Sequence, residues 1–157
     1  MKTLYLLRHA EAENTPNDLE RDLTERGRRQ AESLGQWMSD NGIRPARIFS
    51  SSARRAHLTA KICSEEIGYQ GHIRIEEALY GTYLDNYVTV IKGLNNKYDS
   101  VMIVGHNPEL SDAITFFTGD QIKMLPCTLV CIEFTVEKWG SVEESNGILR
   151  WVQIPTN

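Results

Sequence analysis

Apolar residues fall along this chain in two alternating rhythms: short unbroken runs, and stretches with one apolar residue every three or four positions. Thr3–Leu7 (TLYLL) is a short apolar run closed by polar residues, the pattern of a buried strand. Ala31, Leu34, Trp37 and Met38 then recur at helical spacing, with Thr24 placed to cap that helix and Asn41-Gly42 to stop it. Arg47–Ser50 reads as a second short strand. Ala56, Ala60, Cys63 and Ile67 mark one face of a second helix, with Gly68 just beyond its end. His72–Ile75 follows as a strand, and Leu84, Tyr87, Val88, Ile91 and Leu94 mark a third helix.

Val101–Val104 (VMIV), bounded by Ser100 and Gly105, has the continuous apolar character of a central strand. Pro108 suits the first turn of a fourth helix, with Asn107 as its N-cap and Leu110, Ala113, Ile114 and Phe117 facing inward. Two β-rich runs close the chain, Cys127–Val136 and Ile148–Ile154, with Lys138-Trp139-Gly140 between them as a hairpin connection. Roughly Glu11–Asp22 is an acidic loop that Pro16 and Asn17 keep irregular. Strands alternating with helices predict an α/β fold, a three-layer α/β/α sandwich. The terminal hairpin makes its sheet mixed, though mostly parallel. No repeat, low-complexity tract or linker interrupts the pattern, so one domain over residues 1–157 is expected.

Composition changes this picture little. The 157 residues suffice for one core, and the formal net charge of −4 gives no global attraction to nucleic acid or membrane. An anionic substrate would need a local basic site. No run is long and apolar enough to span a bilayer, and MKTLYLLRHA lacks the longer apolar region of a signal peptide. Cys63, Cys127 and Cys131 form an odd, sparse set. The latter two share a face of the predicted strand, and no second pair completes a zinc spacing. They read as small buried hydrophobes in a reducing cytoplasm, the expected location.

The candidate chemistry lies at strand exits. His9 follows the first strand, His106 follows VMIV, and Arg55 stands just past another strand at the start of a helix. Open α/β sheets bind ligands beyond the carboxyl ends of their strands, so these residues and Arg8 could share one crevice. Arginine presents planar donors that match phosphate oxygens, and neutral imidazole is a competent nucleophile. Arg8 and Arg55 should disfavour a protonated His9. Free N–H groups at the start of the Asn107-Pro108 helix could also face an anion. His9, Glu11 and Glu13 make a poor cation site, because the arginines would repel the ion; neither metal nor cofactor is expected. His57 and His72 read as surface residues, and Arg28, Arg29 and Gln30 as an exposed helix face.

Taken in order, LLRHAEA, LTERGRRQA, SSARRAHLTA and VGHNP resemble the four signature segments of the histidine phosphatase (phosphoglycerate-mutase-like) superfamily. The short chain and Arg21-Asp22-Leu23-Thr24 are most similar to the small phosphohistidine phosphatases of the SixA type. Two departures stand out: Ala10 where that family usually has Gly, and Ser52 where it has Pro. The resemblance implies that His9 is the nucleophile, with Arg8, Arg55 and His106 holding the phosphoryl oxygens. It implies a substrate contact for Arg21, a residue equally readable as a surface ion pair with Asp18 or Asp22. Asn107 is a further candidate contact. Glu77 is the nearest match to the family's general acid, and Asp85 a second option.

The implied activity is metal-independent phosphate release through a phosphohistidine on His9, with protein phosphohistidine as the substrate and inorganic phosphate as product. An acid that is poorly marked suits a phosphoramidate, whose nitrogen leaving group departs readily once protonated. Two other readings stay open: hydrolysis of small phosphomonoesters, and a non-catalytic phosphate-binding regulatory module.

Overall fold

The computed structural model describes residues 1–81 and 83–155. Strand β1 (Lys2–Arg8) runs through the middle of the sheet with Leu4, Leu6 and Leu7 fully buried. Helix α1 (Glu25–Asp40) begins where its cap was expected, the Thr24 hydroxyl accepting from Gly27 N at 2.9 Å. Strand β2 (Arg47–Ser50) leads into α2 (Arg54–Glu66), and β3 (Arg74–Ile75) leads through a 3-10 turn at Glu77–Tyr80 into α3 (Leu84–Lys92). Strand β4 (Ser100–Gly105) precedes α4 (Glu109–Thr118), and β5 (Leu129–Phe134) and β6 (Gly147–Gln153) end the fold.

The six strands lie in the order β3-β2-β4-β1-β5-β6. β1 to β4 are mutually parallel, while β5 runs antiparallel to β1 and β6 antiparallel to β5. The pleat sends alternate side chains to opposite faces. Leu4 and Leu6 of β1 join Val101, Ile103, Tyr87, Ile91, Leu110 and Phe117 under α3 and α4. Leu7 joins Met102, Val104, Ala31, Leu34, Ala56 and Cys63 under α1 and α2. Each such aliphatic side chain taken from water contributes roughly 1.5–3 kcal/mol, so the two cores clamp the sheet from both faces. The expected three-layer α/β/α sandwich is what forms.

Three expectations need correction. The third strand shortens to two exposed residues at the sheet edge, paired with β2 alone. Cys127 lies outside β5 with φ 64°, so it does not share a strand face with Cys131; all three thiols are nevertheless free and buried. Lys138-Trp139-Gly140 does lie in the connection of the antiparallel β5–β6 hairpin, as expected. Trp139 is buried, its indole N–H donating to the Tyr98 carbonyl at 2.8 Å, and the connection folds back over the core. The cap position of α4 falls on Pro108 rather than Asn107.

Candidate active site

The carboxyl ends of β1, β4 and β2 lie at one edge of the sheet, and each delivers a functional residue there. Arg8 ends β1 and His9 follows it. His106 follows β4, and Arg55 lies in the first turn of α2, past the β2 exit. The His9 and His106 rings stand 5.3 Å apart, and Tyr80, from the turn after β3, sets its ring edge-on to His106 at 5.7 Å. The parallel register puts Arg8 beside Gly105, so the two histidines leave neighbouring strands side by side. Gly105 is required by close approach: a Cβ there would collide with the Tyr87 hydroxyl. That hydroxyl accepts from His106 N at 3.1 Å and donates to the Leu79 carbonyl at 2.7 Å, tying the β4 exit to the Tyr80 turn.

His9 is held as a nucleophile. Its Nδ1 lies 2.8 Å from the Ala10 carbonyl, and since a carbonyl only accepts, Nδ1 carries the proton and Nε2 keeps its lone pair. Arg55 Nε donates to that Nε2 at 3.3 Å. The ring is 7% exposed, and burial, aided by Arg55, Arg8 and Arg21, lowers the His9 pKa to about 4. The arginines act in the direction anticipated from sequence, but loss of solvent is the larger cause. Ala10, in place of the usual glycine, is fully buried in the α1/α2 core, and its N–H donates to Thr59 Oγ1 at 2.9 Å.

His106 is neutral for the same reason, its pKa lowered to about 3 by burial first and by His9 and Arg55 next. Ser51 Oγ sits 2.7 Å from His106 Nε2, and its other partner, Ala53 N at 3.3 Å, is a donor, so among the described residues Nε2 is the one acceptor placed for the hydroxyl proton. The His106 proton is then on Nδ1. That atom, like Arg8 Nε, is buried without a hydrogen-bond partner among the described residues. Arg8 is anchored through Nη1 to the Met124 carbonyl at 2.8 Å. Buried donors without partners are costly unless something else satisfies them, and a phosphoryl oxygen suits both.

Arg21 lies at the rim. It forms the ion pair with Asp18 foreseen as one of its two readings, at 3.2 Å, and its Nε donates to the Glu13 carbonyl at 2.6 Å. Asp22 instead pairs with Arg28 and Arg54. Asn107 is engaged structurally: Nδ2 donates to the Met124 carbonyl at 3.3 Å, and Oδ1 accepts from Ser111 N at 3.2 Å. With Leu110 and Asp112 N–H groups also bonded, the start of α4 offers fewer free donors than expected. Glu77 and Asp85 are exposed, and among the described residues neither makes a hydrogen bond or ion pair to His9, His106, Arg8 or Arg55. Gln30, expected on an exposed face, is buried and accepts from Glu11 N at 3.0 Å.

Sequence reasoning missed Ser51, Thr59, Tyr80 and Tyr87, and the centrality of Asp18. Ser51 and Thr59 lie within a segment quoted for its arginine. Tyr80 and Tyr87 carried only a helix or loop pattern and no chemical signal.

Residues 4–100 match the histidine phosphatase superfamily (branch 1). The chain belongs to that superfamily and is a phosphatase. A solved candidate phosphohistidine phosphatase SixA from Nakamurella multipartitia is 25% identical and superposes with a TM-score of 0.82, over 99% of this chain and 97% of that one. The protein histidine phosphatase SixA complexed with tungstate shares the fold, with a TM-score of 0.83 at 16% identity over 96% of this chain and 95% of its own. An uncharacterized protein of Mycobacterium leprae is 29% identical over 102 residues, 65% of this chain; the aligned region spans 61% of that relative's length.

Proposed function

We propose that this phosphatase releases phosphate from protein phosphohistidine through a phosphorylated His9. The observation that carries the reading is the pairing of an unprotonated His9 Nε2 with a ring of donors, Arg55 Nε beside it and the unpartnered His106 Nδ1 and Arg8 Nε in the same buried cluster. Nε2 attacks phosphorus as the bond to the leaving imidazole breaks, and the departing nitrogen takes a proton from solvent or substrate. Water then attacks the phosphorus of the phospho-His9, returning the imidazole lone pair and releasing inorganic phosphate. Charge grows on the equatorial oxygens in both steps, where Arg8, Arg55 and His106 stabilise it.

The surroundings of the cluster support that substrate class. Neither Glu77 nor Asp85 bonds to its histidines or arginines, and Asp18 is committed to Arg55, Arg21 and Tyr80, which suits an imidazole that departs readily once protonated better than an alkoxide. Likeness to SixA-type structures supports the same class. The test is phosphate release from a phosphohistidine peptide and from a panel of small phosphomonoesters, with chelator present and His9→Ala as control. Turnover preferring the peptide and lost in His9→Ala is the expected result. Preference for an ester overturns the substrate, and wild-type rates in His9→Ala overturn the nucleophile.

A further inference from the structure

His9 and His106 are 7% exposed and Arg55 is 6% exposed, so the reacting groups sit deep in the site. The segment between β1 and α1 reaches Arg55 and Tyr80 beside them. Its base is pinned: Ala12 and Leu23 form an antiparallel bridge, Glu13 N donates to the Asp22 carbonyl at 2.8 Å, and Leu23 is buried. Its tip carries the 3-10 turn Asp18–Glu20. Among the described residues, the hydrogen bonds from residues 14–20 to the rest of the molecule beyond this segment run through Asp18 alone.

Asp18 takes up the two terminal donors of Arg55, which a phosphoryl group would otherwise use. Its carbonyl accepts from Arg55 Nη1 at 2.7 Å, and its Oδ2 accepts from Arg55 Nη2 at 3.2 Å and from the Tyr80 hydroxyl at 2.5 Å. Oδ1 accepts from Arg21 Nη1 at 3.2 Å. Arg55 thereby has its two terminal nitrogens on Asp18 and its Nε on His9. The carboxylate itself is half exposed, with 53% of its side chain open to solvent, so the bonds that hold it are weak in net terms. An anion that is well placed but poorly buried is one that a more highly charged anion can displace.

We infer that Asp18 is an internal anion holding the terminal donors of Arg55 while the pocket is empty, and that the incoming phosphoryl dianion displaces it and frees the tip from Arg55. This rests on the pocket being the phosphoryl site proposed above. The same competition runs in reverse after hydrolysis, when Asp18 returns to the arginines and helps expel inorganic phosphate. Asp18 is thus a residue that sets the affinity of the site for its anion rather than one that reacts.

Calorimetric titration of inorganic phosphate into the wild-type protein, Asp18→Asn, Tyr80→Phe and Arg55→Ala tests this. Removing the competing charge should tighten phosphate binding on the order of tenfold in Asp18→Asn, because the apparent affinity no longer carries the cost of the occupied state. Tyr80→Phe, which loosens Asp18 without removing it, should shift the affinity the same way by less. Arg55→Ala should weaken binding. Unchanged or weaker binding in both Asp18→Asn and Tyr80→Phe, with wild type binding and Arg55→Ala impaired, overturns the role of Asp18 while leaving the phosphoryl site standing. Wild-type binding that Arg55→Ala does not alter, or no binding by any variant, overturns the site and the inference together.

Discussion

Truncation of Arg55 to alanine removes three hydrogen bonds at once: Nε to His9 Nε2, Nη1 to the Asp18 carbonyl and Nη2 to its carboxylate. The consequences divide by burial. Around His9 the guanidinium acts in a site closed to water, where one charged donor aimed at developing negative charge is worth about 2–4 kcal/mol. That corresponds to a loss of roughly 30- to 1000-fold in kcat/KM. On the Asp18 side the partner carboxylate is half exposed, so losing that pair costs under about 1 kcal/mol. His9 should remain neutral at pH 7 without Arg55, since burial is the first cause of its lowered pKa. The defect therefore lies chiefly in stabilising charge, and the acid limb of the residual pH–rate profile should move only modestly toward neutral pH, because Arg55 is a smaller cause of the low His9 pKa than burial. Arg55→Lys keeps a charge but not the planar fork, and should fall between wild type and alanine. The assay is kcat/KM on a phosphohistidine peptide, paired with a thermal melt to show retained folding. A kcat/KM within about threefold of wild type in a folded Arg55→Ala protein would refute the place given to Arg55.

Two further outcomes follow from the same geometry. His9 and His106 titrate lower when folded, at about 4 and about 3, than the ordinary 6.5, so the unfolded chain takes up more protons as pH falls through that window. Stability should be full above pH 6.5 and decline from there toward pH 4, by on the order of 3 kcal/mol for His9 alone. Asp18, with its pKa lowered to about 2, loses its contribution only below the ordinary carboxylate range and does not shape this window. A urea midpoint that is flat between pH 7 and 4.5 would contradict the assignment of neutral buried imidazoles. Tyr87→Phe strands the His106 N–H and the Leu79 carbonyl, both bonded to the lost hydroxyl, and should cost about 1–3 kcal/mol in urea unfolding. A cost near zero would show that these groups find other partners.

Much of the fold was legible because its signals are local. TLYLL, VMIV and the helical spacing of Ala31, Leu34 and Met38 report burial over a few residues, and Thr24 marks its helix start by a bond three residues away. Elements whose state depends on distant neighbours were harder to read. Arg74–Ile75 is all that pairs of the third strand, and the connector residue Trp139 gave no sign of the core it fills. The placement of Asn107 shows the same limit at one residue's scale, since its side chain bonds Ser111 as a cap would while the cap position itself falls on Pro108.

For the site, the amino-acid sequence by itself determined which residues could do phosphoryl chemistry: His9, Arg8, Arg55 and His106 carry it in short ordered segments, each just past a strand. Tertiary structure alone decided how they act. The His9 pKa is set chiefly by burial, and no stretch of sequence states how much solvent a side chain will lose. The donors of Arg55 are divided between a histidine 46 positions away and an aspartate 37 positions away. Tyr80 meets Asp18 across 62 positions. Such partnerships exist only after β1, β2, β3 and β4 bring their exits to one edge, because hydrogen bonds and desolvation depend on distance in space and leave no periodic trace along the chain.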